Sequence, residues 1–322
     1  MTVRKKISIS FHNFWGGFEP EKSYFVRALG ERFDVKIDKF GSDIEFYSVF
    51  GANFSDEVLR SKALKVWFTG EAQDPKNLIY DLYFNFRANS LLGRRSIRLP
   101  LWATNIDWWG NKGPLTIGNL TKPRSFERRA KFCNFIYSNS VSLRNEMFYR
   151  LNQEQRVDSY GKVLNNMGFR AGDKLQLLRD YRFTIAFENF SSKGYVTEKL
   201  LEPLASGSVP IYWGASEAQV DFNPAAFINA SSFESMDALI KRILEIDQDD
   251  DALRQMAEAP VFAASIPYEM TPRYFADRIE ECLDTASMRG HGEDLNMRLA
   301  ERRNLKGRIR IGWRKAIRGL RI

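Results

Sequence analysis

Residues 182–214 read RFTIAFENFSSKGYVTEKLLEPLASGSVPIYWG, and this run decides the fold. Two short apolar stretches, 184–187 and 209–213, predict buried strands because polar or glycine positions bound each of them. The polar loop between them leads into a predicted helix from about Val196 to Ser206, which Gly207 ends. A strand, a helix and a second strand within about thirty residues form one βαβ unit. The run therefore predicts an α/β protein with a parallel sheet.

Polar side chains are concentrated where the first strand ends and the helix begins. Glu188 and Asn189 follow the strand directly, and Tyr195, Glu198 and Lys199 lie around the predicted helix start. Ligands of open α/β sheets bind at the carboxyl ends of strands, and helix N-termini favour phosphate. Tyr195 and Lys199 are four residues apart, which places both on one face of the predicted helix. The pattern predicts a phosphate-containing ligand here.

Three pieces of this run resemble, in order and spacing, the signature of the α1,3/4-fucosyltransferases: Phe187–Asn189, Gly194–Lys199 and Val209–Gly214. The resemblance implies a GT-B fold, with two Rossmann-like domains facing a central cleft, and an inverting enzyme that uses GDP-fucose. It covers about residues 5–285 and is densest from Phe132 to Asn223. The alternative interpretation is one βαβ unit of an unrelated α/β protein.

Strands and helices alternate along the first hundred residues and again after Phe132. The predicted strands are Lys6–Phe11, Val35–Ile37, Ile44–Phe50, Lys65–Thr69, Leu82–Phe86 and Phe132–Ser138, with helices at Pro20–Phe33 and near Asp56–Ala63. Helices dominate from Met236 to Met288. The alternation favours parallel α/β domains. We expect an acceptor-binding Rossmann-like domain over residues 1–125, a GDP-fucose-binding one over 126–290, and a basic tail over 291–322.

The composition is that of a globular protein. A chain of 322 residues with 44% hydrophobic residues is long enough to bury two cores. Its two cysteines, Cys133 and Cys282, exclude a disulfide scaffold and a four-cysteine zinc site, and they favour a reducing compartment. The first residues lack the apolar core of a signal peptide, and no apolar run approaches the roughly eighteen residues that span a bilayer. We expect a cytoplasmic protein, similar to the bacterial members of the family.

The basic charge is concentrated at the carboxyl terminus. Residues 298–322 hold ten Lys or Arg and one Glu, which leaves 38 basic and 39 acidic residues in the rest of the chain. This distribution argues against nucleic acid as a partner. The apolar residues of the tail recur with the period of a helix, at Ile309, Trp313, Ile317 and Leu320. Arginine residues repeat the same spacing one position later and form an adjacent cationic face. Such a segment favours binding to an anionic membrane surface, here the inner face; the alternative is a solvated tail that binds nothing in particular.

Fucosyl transfer needs a base for the acceptor hydroxyl and fixed cations for the leaving GDP. Glu71 is the candidate base, because it follows the apolar stretch Lys65–Thr69 and a glycine turn at the carboxyl end of a predicted strand. The segment Trp67–Glu71 resembles the one that carries the proposed base of the bacterial enzymes. Those enzymes often have Asn where this chain has Ala72. From spacing alone, an exposed loop glutamate is an equally good interpretation.

The resemblance also implies how the donor is held. It gives Arg144, in a loop that enters a predicted helix, a contact with the diphosphate, and a planar guanidinium suits two phosphate oxygens. Lys199 is the second cation expected to stabilise the negative charge of the leaving GDP. Glu198 is implied to bind the ribose hydroxyls, with Asn189 helping to hold the nucleotide sugar.

Two donor-side residues have open roles. Tyr195 either packs on or bonds to the nucleotide, or it only packs against the face of the predicted helix. Glu188 either contacts the sugar or orients the loop. We expect no cofactor and no obligatory metal. The acidic run Asp249–Asp251 is interpreted as a helix N-cap rather than a metal cluster.

The sequence thus predicts an inverting fucosyltransferase that moves L-fucose from GDP-fucose to O3 of GlcNAc in an N-acetyllactosamine or Lewis-type glycan. One alternative is a GT-B enzyme that uses another nucleotide sugar. The other is a peripheral membrane protein that binds glycans without turnover.

Overall fold

The computed structural model describes residues 4–39, 41–51, 61–73, 80–87 and 90–288. The chain divides into two compact units: the first unit runs to Leu99 and resumes at Tyr268, and the second unit is Pro100–Pro267. The helix expected near residues 56–63 lies largely outside the described residues. The basic tail lies wholly outside them.

The described strands and helices alternate, as the sequence predicts. The strands are β1 Lys5–His12, β2 Phe33–Ile37, β3 Ile44–Tyr47, β4 Leu64–Phe68, β5 Leu82–Asn85, β6 Ser96–Arg98, β7 Lys131–Phe135, β8 Val157–Ser159, β9 Tyr181–Phe187, β10 Val209–Trp213 and β11 Ile228–Asn229. The α-helices are α1 Tyr24–Leu29, α2 Leu101–Thr104, α3 Ile117–Thr121, α4 Ser142–Glu154, α5 Lys174–Leu178, α6 Glu198–Ser206, α7 Ala218–Asp221, α8 Met236–Gln248, α9 Asp250–Glu258 and α10 Pro272–Met288.

The sheet of the first unit has strand order β2-β1-β3-β4-β5-β6, and all its described pairs are parallel. His12 pairs in register with Tyr47, and Tyr47 pairs with Trp67. The carboxyl ends of β1, β3 and β4 therefore lie side by side at one edge of this sheet.

The sheet of the second unit has strand order β11-β10-β9-β7-β8 and is also parallel. Every residue of β9 is buried, as expected for a central parallel strand covered on both faces. Phe187 pairs with Trp213, so the carboxyl ends of β9 and β10 are adjacent. The residues that follow these two ends lie at the edge where α/β proteins bind ligands.

The compact units divide the chain differently from the predicted boundaries. Helix α10, expected in the domain over 126–290, belongs to the first unit, because the buried Phe275 ring packs against Phe25 and Phe84 with centroids 5.8 and 4.6 Å apart. Residues 100–125 belong to the second unit. There the buried indole of Trp102 donates a hydrogen bond to Asp221 at 3.1 Å. Both contacts join residues that are far apart in sequence, and the composition of a segment does not reveal such distant partners.

The helix predicted over Pro20–Phe33 is shorter and divided. A 3₁₀ turn covers Pro20–Lys22, and α1 begins only at Tyr24 because the Ser23 hydroxyl accepts a hydrogen bond from the Val26 N–H. Two other predicted features are confirmed. Gly207 ends α6 with a φ of 77°. The Asp249 carboxylate accepts hydrogen bonds at the start of α9, as the N-cap interpretation requires. Within the described residues, no helix combines the length and apolarity needed to cross a bilayer.

Candidate active site

Glu188 is the buried centre of the predicted site. It follows β9 directly, is fully buried, and its N–H donates to the Trp213 carbonyl at 2.8 Å. Its Oε1 accepts hydrogen bonds from the Thr197 N–H at 2.8 Å and from the Thr197 hydroxyl at 2.9 Å. Burial raises the pKa of Glu188, and the neighbouring Lys199 and Thr197 oppose that rise. Of its two predicted roles, the contacts support orienting the loop that enters α6.

Lys199 is held by two carboxylates. Its Nζ lies 3.2 Å from Glu188 Oε2 and 3.4 Å from Glu198 Oε1, and it donates to the Thr197 hydroxyl at 3.1 Å. Burial alone lowers the pKa of Lys199, but the attraction of the two carboxylates outweighs it and the pKa is raised. The side chain therefore stays an ammonium ion, with about a fifth of it exposed.

Helix α6 begins two residues later than predicted, at Glu198. Thr197 is its N-cap: the hydroxyl accepts a hydrogen bond from the Lys199 N–H at 3.3 Å. Tyr195 therefore precedes the helix, and the prediction that it shares a helix face with Lys199 is wrong. Its ring is buried at 3% exposed, which favours the packing interpretation of this residue.

Arg144 is a buried residue. It lies in the first turn of α4 with 2% of its area exposed, and its Nη1 donates to Asn189 Oδ1. The guanidinium lies over the rings of Tyr137 and Phe135, 5.0 and 5.5 Å from their centroids. Its buried Nε donates no hydrogen bond to any described residue. An incompletely satisfied buried guanidinium is a ready partner for an anion.

The charges of this edge act on one another. Burial lowers the pKa of Arg144, while Glu188 and Glu198 oppose the shift. Arg144 in turn opposes the rise in the pKa of Lys199 that the two carboxylates cause. Both cations line a cavity of about 20 Å³, room for about one water. The structure thus brings together the predicted donor-side residues: Arg144, Glu188, Asn189, Tyr195, Glu198 and Lys199.

Three contributors were missed by the sequence reasoning. Lys174, in the first turn of α5, lines the same small cavity and pairs with Glu202. Thr197 caps α6, and its hydroxyl is hydrogen-bonded to both Glu188 and Lys199. A threonine directly before Glu198 and Lys199 is a recognisable N-cap signal. Gly214 is the third. A Cβ there would lie 2.4 Å from the Tyr212 hydroxyl and 2.7 Å from Glu188 Cγ, so only glycine leaves Glu188 its position.

Glu71 lies at the corresponding edge of the first unit. It is half-buried and follows β4 after Thr69 and Gly70, as predicted. The Thr69 hydroxyl accepts from the Glu71 N–H at 3.0 Å and donates to its carbonyl at 3.1 Å, which fixes the turn. No described residue donates a hydrogen bond to the Glu71 carboxylate.

A groove of about 790 Å³ lies at the opposite end of the second sheet, where the strands begin. Several of its cationic residues bond to the protein itself. Arg124 donates to the carbonyls of Leu204 and Ala259 at 3.1 and 2.9 Å, and Lys131 pairs with Asp180 at 3.3 Å. The bond from Arg124 to Leu204 lies in the last turn of α6, whereas the candidate site lies at its first turn, so the groove is separate from the candidate site. The described residues contain no group of three or more His, Cys, Asp or Glu that could hold a metal ion.

The chain is similar to named fucosyltransferases. An alpha-(1,3)-fucosyltransferase of Helicobacter pylori is 27% identical over 275 residues, which cover 74% of this chain and 56% of that protein. An alpha-(1,4)-fucosyltransferase of Arabidopsis thaliana is 45% identical over 111 residues, 28% of each chain. A GDP-fucose protein O-fucosyltransferase 3 of Bos taurus is 30% identical over 62% of this chain and 46% of that one. This chain thus spans about half the length, or less, of these curated relatives.

The fold is similar to that of a solved enzyme. The crystal structure of an alpha1,3-fucosyltransferase with GDP-fucose matches with a TM-score of 0.70 at 23% identity, over 88% of this chain and 91% of that chain. The match confirms the predicted GT-B fold class.

Two family models cover most of the sequence. The model of the alpha-(1,3)-fucosyltransferase FucT N-terminal domain matches residues 9–105. The model of the C-terminal part of glycosyltransferase family 10 (fucosyltransferase) matches residues 126–258, which include every predicted donor-side residue. The chain therefore belongs to glycosyltransferase family 10, the fucosyltransferases.

Proposed function

We propose that this protein transfers L-fucose from GDP-fucose to a hydroxyl group of a glycan acceptor, with inversion at the anomeric carbon. The observation that carries the proposal is a pair of cations beside the point where β9 ends and α6 begins: Arg144, which is buried, and Lys199, which is about a fifth exposed. Fixed positive charge at this point suits a diphosphate leaving group. The names of the relatives support the donor, because all three describe fucosyltransferases and the name of the Bos taurus protein includes GDP-fucose.

The reaction is a single displacement at C1 of fucose. The acceptor oxygen forms a bond to C1 as the bond from C1 to the β-phosphate oxygen breaks, and the electron pair leaves with GDP. The transition state resembles an oxocarbenium ion, as in glycoside cleavage. Arg144 and Lys199 offset the negative charge that grows on the leaving phosphate. They supply the charge that a metal ion supplies elsewhere, so EDTA should not reduce turnover.

Glu71 is the general base in this proposal. The acceptor hydroxyl must lose its proton as its oxygen attacks, and a carboxylate that accepts no hydrogen bond from the described chain can take it. The Thr69 hydroxyl bonds to the N–H and carbonyl of Glu71, so the backbone is fixed while the carboxylate keeps its acceptor capacity.

The remaining donor-side residues hold the nucleotide sugar. Glu198 has about a quarter of its side chain exposed at the head of α6, where a carboxylate can accept hydrogen bonds from ribose hydroxyls. Asn189 is aligned by Arg144 and binds the same ligand. Tyr195 contributes by packing or nucleotide contact. The acceptor in this proposal is O3 of GlcNAc in an N-acetyllactosamine-type unit.

A donor and acceptor panel tests the proposal. GDP-fucose, GDP-mannose, UDP-galactose and UDP-GlcNAc are each incubated with N-acetyllactosamine or a peptide acceptor, and products are identified by mass and NMR. We expect turnover with GDP-fucose and N-acetyllactosamine, giving an α-linked product. Turnover with a UDP-sugar alone would identify another GT-B transferase. Glycan binding without any turnover would identify the non-enzymatic alternative.

The same proposal includes the location of the enzyme. Residues 298–322, with ten basic side chains, attach it to an anionic membrane surface, the inner face of a cell membrane. A chain truncated after Met297 should sediment less with vesicles that contain phosphatidylserine and keep its turnover on a soluble acceptor. Equal sedimentation of the two chains would refute the attachment.

A further inference from the structure

Two exposed aromatic rings meet at the carboxyl edge of the first sheet. Trp15 is 38% exposed and Phe50 is 49% exposed, and their ring centroids lie 6.3 Å apart with an angle of 76° between the planes. Trp15 follows β1 and Phe50 follows β3. We call this pair the aromatic corner. Exposed large apolar side chains that sit next to one another indicate a binding surface more often than isolated ones do.

The rings of the aromatic corner rest on other rings. The Trp15 ring contacts Phe18 and Phe14, with centroids 4.9 and 5.5 Å away, and those two stack on each other at 4.4 Å. Phe11 lies beneath them, 5.2 Å from Phe14. A continuous column of rings therefore runs from the core to the exposed indole and limits its motion.

Backbone hydrogen bonds join the two segments that carry the corner. The Ser48 N–H donates to the His12 carbonyl, and the Phe50 N–H donates to the Asn13 carbonyl, each at 3.0 Å. Gly51 packs so closely on Asn13 that a Cβ would lie 1.8 Å from Asn13 Oδ1. The corner is thus held in one arrangement before any ligand arrives, and such preorganisation lowers the entropy cost of binding.

The aromatic corner shares its edge with Glu71. Strands β1, β3 and β4 are neighbours, and the segments that carry Trp15, Phe50 and Glu71 leave their carboxyl ends in that order. Adjacent strands lie about 4.8 Å apart, so β1 and β4 are separated by about 10 Å at this edge. A disaccharide spans such a distance.

We propose that the aromatic corner stacks against the apolar face of a pyranose ring in the acceptor, one sugar away from the hydroxyl that Glu71 deprotonates. The C–H groups of a sugar face match the flat apolar ring surface, and the indole N–H can donate to a sugar hydroxyl. A protein partner fits less well, because a stable interface buries about 800 Å² on each side and two rings offer far less. The inference rests on the proposed fucosyl transfer.

Kinetics of Trp15→Ala, Phe50→Ala and the double variant test the corner. Each substitution should raise KM for N-acetyllactosamine about five- to tenfold, because one ring stack is lost. The kcat and the KM for GDP-fucose should not change. Trp15→Phe, which keeps a ring, should recover most of the affinity. Phe169→Ala is the control, since Phe169 is 57% exposed in the second unit and should leave all constants unchanged.

A binding measurement separates failure of the corner from failure of the proposed function. Titration of N-acetyllactosamine should change the tryptophan fluorescence of the wild-type protein and not that of Trp15→Phe. If wild type turns over GDP-fucose but the double variant keeps its acceptor KM, the corner is refuted and the function stands. If no fluorescence change accompanies normal turnover, the corner is refuted as well. Fluorescence change without any fucosyl transfer would support the corner and overturn the function.

Discussion

The charged side chains at the carboxyl edges of the two sheets are bonded in different ways. In the second unit the charged residues bond to one another: Glu188 is fully buried and is held by Thr197 and Lys199. In the first unit Glu71 is half-buried, and no described residue donates to its carboxylate. Among the described residues, one edge thus pairs its charges with one another, whereas the carboxylate at the other edge accepts no hydrogen bond.

This difference matches the chemistry of the two proposed substrates. A nucleotide sugar carries a fixed diphosphate, and a preorganised set of cations stabilises the charge on it without rearrangement. A glycan hydroxyl is neutral and must give up a proton, so the acceptor side needs a carboxylate with free lone pairs. In the proposed reaction the second edge therefore stabilises charge and the first edge takes the proton, and this contrast can be tested residue by residue.

The largest expected effect is on turnover, from Glu71→Gln. The amide keeps the size of the side chain but cannot take a proton, so kcat should fall about 10²- to 10⁴-fold. GDP affinity, measured by calorimetry, should not change, because the nucleotide residues lie in the second unit. Glu21→Gln, an exposed glutamate of the first unit, is the matched control. Full turnover in Glu71→Gln would show that the first edge holds no base.

The second effect combines turnover and stability, from Lys199→Met. Removing the ammonium leaves Glu188 buried with fewer partners, which should lower the free energy of unfolding by about 3 kcal/mol. Turnover should fall about 10²-fold, because one stabiliser of the leaving group is lost. Urea unfolding and single-turnover kinetics measure the two losses. Lys131→Met removes an exposed lysine that pairs with Asp180 and should change neither. A stable variant with normal turnover would contradict the hypothesis that Lys199 stabilises both Glu188 and the leaving group.

Gly214→Ala tests how tightly the second edge is packed. The added methyl would overlap Tyr212 and Glu188, so the free energy of unfolding should fall by about 1–3 kcal/mol. GDP affinity should fall with it, because Glu188 holds the loop that enters α6. Gly172→Ala is the control, since no atom lies within 4 Å of a Cβ at that position. Equal stability of both variants would mean that Glu188 has room to move.

Local features of the fold could be predicted from the sequence, and distant contacts could not. The apolar runs located β1, β4, β9 and β10 within a few residues, and Gly207 marked the end of α6, because each signal lies within the segment itself. The place of α10 depends on Phe275 meeting rings from three distant strands and helices, and nothing within 272–288 identifies those partners.

The candidate site shows the same limit. Family motifs identified the charged residues, but not that Arg144 is buried over two aromatic rings or that Thr197 links Glu188 to Lys199. The error at Tyr195 has a simple physical cause. The helical period does not extend back past Thr197, whose side chain caps the helix, so the four-residue spacing does not place Tyr195 on a helix face. An N-cap threonine before Glu198 is the signal that would have corrected it.

The smallest expected effect is on the pH dependence of stability, where the contributions of Glu188 and Glu198 should change with pH in opposite directions. Burial raises the pKa of Glu188, so its contribution to stability is present at low pH and is lost as the pH rises from 4.5 through the raised pKa. For Glu198, burial works in the same direction, but Lys199 and Lys174 outweigh it and the pKa is lowered. Its contribution is therefore present above 4.5 and is lost as the pH falls through the lowered pKa.

The free energy of unfolding of wild type minus that of each Gln variant, measured from pH 3 to 8, reports these contributions. That difference should fall with rising pH for Glu188→Gln and rise with pH for Glu198→Gln. Because both residues contact the same lysine, the opposite slopes would assign the effect to burial in one case and to charge in the other. Parallel slopes would mean that the two carboxylates share one environment, and the described network around Lys199 would then not control their ionisation.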